Sequence, residues 1–143
     1  MTDDRYLAIK VVMMPRDTNP YGTIFGGVVL SYIDQAGAVG ARHEIQTRHY
    51  PSQPLVTVAM NGVEFHKPVV VGDTVSFFTE TRKIGKTSIT MHVTVETERD
   101  GEPLLLTQAD VTYVAVELRG SERRPVSIRG TAAFQPSNDK GAR

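Results

Sequence analysis

Gly26-Gly-Val-Val-Leu-Ser-Tyr-Ile-Asp-Gln-Ala-Gly-Ala-Val-Gly-Ala41 decides the fold. Apart from Ser31, Asp34 and Gln35 the stretch is apolar or small, and its length makes about four turns at ~3.6 residues per turn. Spacing of three and four aligns Val29, Ile33, Ala36 and Gly40 on one stripe, and Leu30, Asp34, Gly37, Ala38 and Ala41 on a second, low-walled one. The polar edge is narrow: Ser31, Gln35 and Arg42. A helix of this kind is wrapped by protein on most sides.

On either side of the helix the pattern changes to strands. Tyr6 to Met13 is a short β-rich run ended by Pro15, and the Asn, Pro and Gly of residues 16–23 mark a constrained loop. After a loop over Gln46 to Gln53, Leu55 to His66 is β-like, with Gly62 a candidate bulge and Pro68 a stop. Val75, Phe77, Thr79 and Thr81 alternate with polar neighbours, as do Ile89, Met91, Val93 and Val95, and Leu104 to Glu117 completes the set. Gly85-Lys86 and Asp100-Gly101 are two-residue hairpin signals, so these strands run antiparallel. One helix and five antiparallel strands predict an α+β fold in which the sheet curls around the helix. One such sheet cannot cover a helix apolar on nearly every side, which predicts at least a dimer.

The chain has 143 residues, enough for one domain. Sixteen basic and sixteen acidic side chains cancel, so no global field recruits nucleic acid or an anionic membrane. No apolar run approaches a membrane span. The acidic start and the absence of cysteine point to the cytoplasm, without disulfides, thiol nucleophile or Cys-ligated zinc. Residues 1–118 form the predicted domain. In residues 119–143 six bases, two acids and repeated Gly and Pro predict a polar basic tail, mobile or docked on a neighbouring subunit.

The strong catalytic signatures are missing: no G-x-S-x-G, G-x-G-x-x-G or H-E-x-x-H occurs, and the four histidines lack metal-ligand spacing. No metal and no cofactor are expected. Two features remain. Gly22-Thr-Ile-Phe25-Gly26-Gly27 enters the helix, where missing Cβ atoms either serve tight packing or let a substrate approach free N–H groups and the positive helix end. Asp34 is the helix's one acid, either solvated beside Gln35 or held for chemistry. The two lie seven residues apart, roughly 10 Å at ~1.5 Å per residue. One substrate atom cannot touch both on one helix. A substrate threaded along the helix, or a subunit interface that brings the groups of one copy to those of another, would close the gap.

Pro15-Arg-Asp17-Thr-Asn19-Pro-Tyr-Gly22-Thr-Ile-Phe-Gly26-Gly27 with Ile33-Asp34-Gln-Ala-Gly37, then Ala41-Arg42-His43, Phe65-His-Lys-Pro68-Val-Val-Val-Gly72-Asp73 and Gly85-Lys-Thr-Ser88, resembles the hotdog-fold acyl-CoA thioesterases of the YciA-like and cytosolic acyl-CoA hydrolase branch. The likeness spans about residues 7–118.

What the resemblance implies is a long helix wrapped by an antiparallel sheet, dimers that assemble into hexamers as trimers of dimers, and hydrolysis of acyl-CoA to a fatty or other carboxylic acid and CoA. By similarity Asp34 is the catalytic carboxylate, Asn19 works with it across the dimer interface, and Gly27 supplies an N–H to the thioester oxygen. Gly26, Phe25, Lys67, Arg82, Lys86, Thr87 and Ser88 are the expected substrate contacts, the cations meeting CoA phosphates and the Gly85–Ser88 turn hosting the pantetheine arm. Asp34 is read as general base on water, with direct nucleophilic attack through a mixed anhydride as the competing route. The alternative from another class is a non-catalytic module that binds or senses acyl-CoA, which would hold the ester without releasing thiol.

Overall fold

A computed structural model describes residues 4–130. Strand β1 (Tyr6–Val12) is followed by a short 3-10 turn at Pro15–Asp17, helix α1 (Gly26–Thr47), and strands β2 (Leu55–Phe65), β3 (Thr74–Ile84), β4 (Ser88–Arg99), β5 (Glu102–Arg119) and β6 (Glu122–Pro125). The antiparallel sheet has the order β1-β3-β4-β5-β2, with β6 paired to the end of β5. Helix α1 lies across β1, β3, β4 and β5, the predicted helix within a curled sheet. At Asp100-Gly101 both residues have positive φ (55° and 78°), the backbone that a two-residue type I′ hairpin requires. Gly62 sits at φ 62° where the β2–β5 register shifts between Asn61 and Glu64, the expected bulge. No helix of the described residues is long and apolar enough to cross a membrane.

Three details differ from the sequence reading. Helix α1 continues six residues past Ala41, because Ile45 still reaches the core and Glu44 pairs with Arg48 at 2.6 Å on the outside. The Gly85 turn is longer than two residues: strands stop at Ile84 and resume at Ser88, and the Gly85 N–H donates to the Ser88 carbonyl. The sixth strand, Glu-Arg-Arg-Pro, is exposed throughout and carries no period-two pattern. Backbone pairing with the overhanging end of β5 alone makes it a strand.

That strand also changes the picture of the tail. Residues 119–130 dock on their own chain, and the rest of the predicted tail lies outside the described residues. After β6, the Val126 N–H donates to Ala115 and the Ile128 N–H to Lys86, while Ser127 accepts from the Gln53 side chain. Ile128 is fully buried. A Cβ on Gly130, at φ 82°, would lie 2.5 Å from Pro51. Apolar burial of one isoleucine inside a polar segment is enough to anchor it.

The first predicted helix stripe is wholly buried: Val29, Ile33, Ala36 and Gly40, joined by Gly37, Ala41 and Ile45. These face Phe77, Ile89, Val93, Val95, Leu106 and Val111 in one core. Ser31, Gln35, Val39 and His43 remain exposed, Val39 at 42%. A single chain therefore wraps its helix on one side only.

Candidate active site

The entry to the helix is built by a knotted loop. Thr18 and Ile24 form an isolated antiparallel bridge, and within it the Asn19 side chain is turned inward. Its Oδ1 accepts from the N–H groups of Tyr21 (2.8 Å) and Thr23 (3.1 Å), and its Nδ2 donates to Thr23 Oγ1 at 2.7 Å. Gly22 at φ 87° permits the reversal. In this chain Asn19 is the fastener of the loop that delivers the helix start, with one amide hydrogen left over.

Phe25 is the N-cap and makes no side-chain cap. Its carbonyl accepts from Val28 and Val29, so the N–H groups of Gly26 and Gly27, ahead of the first helical bonds, have no acceptor among the described residues. A Cβ built on Gly27 would meet nothing within 4 Å, whereas one on Gly26 would sit 3.5 Å from the Phe65 ring. Beside them opens a cleft of about 280 Å³ lined by Thr23, Gly26, Val29, Phe65, Lys67 and their neighbours. Two free donors at a positive helix end, beside this cleft, suit a carbonyl oxygen that gains charge.

Asp34 lies about two turns farther on, half-buried, with its carboxylate directed to β2. Thr57 Oγ1 donates to Asp34 Oδ1 at 2.8 Å. No cation of the described residues lies within ion-pair distance of Asp34, and the contact sits at the surface. The backbone carbonyl of Asp34 accepts from the Tyr113 hydroxyl at 2.6 Å. Thr57 and Tyr113 are directly opposed in the β2–β5 ladder.

The expected substrate contacts divide between the two ends of the sheet. Phe25, Gly26, Gly27 and Lys67 gather at the helix start, where the Lys67 N–H bonds the Leu106 carbonyl. Thr87 is fixed to Ala115 at the other end, nine positions along β5, or about 30 Å at ~3.3 Å per residue. There the carbonyls of Lys86, Thr87 and Ser88 accept from Ile128, Ala115 and Gly85, so the turn is rigid. Arg82 stands on the outer sheet face, its Nε 3.6 Å from Asp110, which also binds His92 Nδ1 at 2.7 Å. The basic side chains do not form one cluster in a single chain. Among the described residues no three His, Asp or Glu side chains are grouped to hold a metal ion.

Thr57, Tyr113 and Phe65 escape the sequence reading as site residues. Gly37 on the low-walled stripe is the only advance sign of Tyr113, since a Cβ there would fall 2.2 Å from the phenol oxygen.

Residues 21–104 match the family model of the Thioesterase superfamily. The chain is 36% identical over 129 residues to the acyl-CoA thioester hydrolase YciA of Salmonella typhimurium, covering 87% of this chain and 92% of that one. Among solved structures it is similar to a hexameric thioesterase of Yersinia pestis, with a TM-score of 0.77, 34% identity and 90% and 99% of the two chains covered. A hexameric hotdog-fold thioesterase of Campylobacter jejuni gives a TM-score of 0.69 at 38% identity, with 85% and 90% covered.

Proposed function

The chain belongs to the thioesterase superfamily, and from that premise we propose that it hydrolyses acyl-CoA to a carboxylic acid and CoA in a site shared by two copies of the chain. The observation that carries the reading is the Asp34 carboxylate, steered by one hydroxyl and with no cation of the described residues in ion-pair distance, on a helix whose start presents two N–H groups unused among those residues. The Gly26 and Gly27 N–H groups polarise the thioester carbonyl. Asp34 takes a proton from water as the new O–C bond forms; the C–S bond breaks, and that proton leaves with the CoA sulfur. Attack by the carboxylate itself, through an anhydride, ends in the same products.

Pairing through β2 supports the shared site. This strand is an edge of the sheet and exposes Val58 and Phe65, each at 55%, an unusual exposure unless something covers it. Two copies paired antiparallel about Asn61 bring Thr57 and Asp34 of one opposite Phe65 and the helix start of the other. That arrangement closes the gap of about 10 Å between the donors and the base. The leftover Asn19 N–H and the cations of the far sheet end then come within reach of one acyl-CoA. The hexameric thioesterases of Yersinia pestis and Campylobacter jejuni favour three such dimers per particle, and an acyl-CoA substrate favours the cytoplasm.

The deciding experiment measures thiol release from a panel of acyl-CoAs by the wild type and Asp34→Asn. A positioned base contributes about 100- to 10,000-fold, so the variant should remain an oligomer and lose turnover on that scale. Turnover within tenfold of wild type removes Asp34 from the chemistry, and binding without thiol release in the wild type removes the enzyme.

A further inference from the structure

Asp34 is gripped twice, and the second grip is on its backbone. The Tyr113 hydroxyl donates to the Asp34 carbonyl at 2.6 Å, although that carbonyl lies inside the continuous helix α1, where the N–H of Ala38 already serves it. The bond is therefore not needed to satisfy the acceptor. Tyr113 is 1% exposed; phenylalanine would fill the same volume with no polar atom to accommodate. On the helix side, the hydroxyl occupies the space of a missing Cβ: one at Gly37 would lie 2.2 Å from it. Glycine inside a helix weakens it through backbone entropy. Two locally unfavourable choices, a buried phenol and a mid-helix glycine, meet at the one carbonyl that belongs to the site's acid.

Directly across the β2–β5 ladder from Tyr113 stands Thr57, which holds the Asp34 carboxylate. One cross-strand pair thus fixes both the main chain and the side chain of the same residue. A slide of α1 by one residue, about 1.5 Å, breaks both contacts together. Burial, and after it the nearby Asp34 charge, push the phenol far above its ordinary range, so it remains a donor at every working pH.

We propose that Tyr113 is a positioning residue: through the gap kept open by Gly37, its hydroxyl locks the Asp34 turn of α1 to β5 and so sets the carboxylate against Thr57 and the reacting water. The inference rests on the assignment of Asp34 as base. Misplacement of such a group by about 1 Å costs on the order of 100-fold, so the effect falls on kcat and not on substrate affinity.

The test uses the full-length oligomer and steady-state thiol release. Tyr113→Phe should lower kcat by about 10- to 100-fold, with KM for acyl-CoA within about twofold. In the Asp34→Asn background the same change should add no further loss, because Tyr113 acts only through that carboxylate. Gly37→Ala, which pushes on the contact from the helix, should lower kcat likewise, and adding Tyr113→Phe to it should cost little further kcat, because both act on the same contact. A Tyr113→Phe enzyme with wild-type kcat, a loss carried by KM, or losses that multiply with Asp34→Asn each overturn the proposal. If Tyr113→Phe fails to assemble, Gly37→Ala alone decides, an unchanged kcat counting against. Should Asp34→Asn itself stay active, the functional reading fails; a dead Asp34→Asn beside a fully active Tyr113→Phe removes only the positioning role.

Discussion

Gly40 of α1 and Thr79 of β3 meet so closely that a Cβ on Gly40 would stand 2.2 Å from Thr79 Oγ1 and 2.6 Å from its Cβ. Thr79 is itself 2% exposed, with its hydroxyl directed to the Tyr6 carbonyl. Helix and sheet therefore touch backbone to side chain at this point. Gly40→Ala should cost about 1–3 kcal/mol by overpacking, read as a lower urea midpoint with unchanged slope. Thr79→Ala in the same chain should recover part of it. An unaltered midpoint in the single variant would contradict the contact.

Thr57 reaches Asp34 with a hydroxyl alone, so its branch methyl is dispensable and its oxygen is not. Thr57→Ser should keep turnover within a few-fold. Thr57→Val, of equal shape, should lose roughly 10-fold or more by freeing the carboxylate. Equal activities for the two variants would show that the hydroxyl steers nothing.

The inward side chain of Asn19 ties down the Tyr21 and Thr23 amides. Each such bond is worth about 1 kcal/mol, so Asn19→Ala should speed hydrogen exchange at both amides by roughly fivefold or more. Asn19→Asp keeps the acceptor and should leave the two protected. Wild-type exchange in the alanine variant would show that Asn19 does not fasten the loop.

Tyr113 also carries an alkaline signature. Its folded phenol holds the proton far above the ordinary tyrosine value of 10.0, so above that pH the folded state binds more protons than the unfolded one. The stability that this linkage contributes is complete below pH 10 and drains away as pH rises beyond it. Tyr113→Phe should flatten the fall of the thermal midpoint between about pH 10 and 11. Parallel curves for both proteins would place the phenol outside the core.

Ile128 is the fully buried side chain of the docked segment, and its N–H is bonded to the Lys86 carbonyl. Ile128→Ala should cost about 2–5 kcal/mol and raise proteolysis at the 85–88 turn. A loss below about 0.5 kcal/mol would mean that the segment rests on the body without anchoring there.

The helix, its buried stripe and the antiparallel strands are legible because periodicity reports on burial. Val29, Ile33, Ala36 and Gly40 needed no partner to be identified. Asp34 and the helix-start glycines stand out for a similar reason, since each is costly where it sits unless something uses it. Thr57 and Tyr113 carry no such mark. Both are ordinary strand residues, made special by a ladder register between β2 and β5 that no local pattern reports. Lys67 and Lys86 stand apart within one chain for the same cause: strand ends alike in composition fall at opposite ends of the sheet, while Arg82 lies between them beside Asp110. β6 was invisible because its pairing belongs to the backbone alone.

Val126 and Ile128 turn their N–H groups onto Ala115 and Lys86 in alternate positions, so the stretch linking them to β5 obeys a parity rule. Adding one residue between Arg119 and Val126 would rotate Ile128 outward and loosen the hairpin tip above it, whereas adding two would return the same face to the interior. Length variation at this junction should therefore come in even steps.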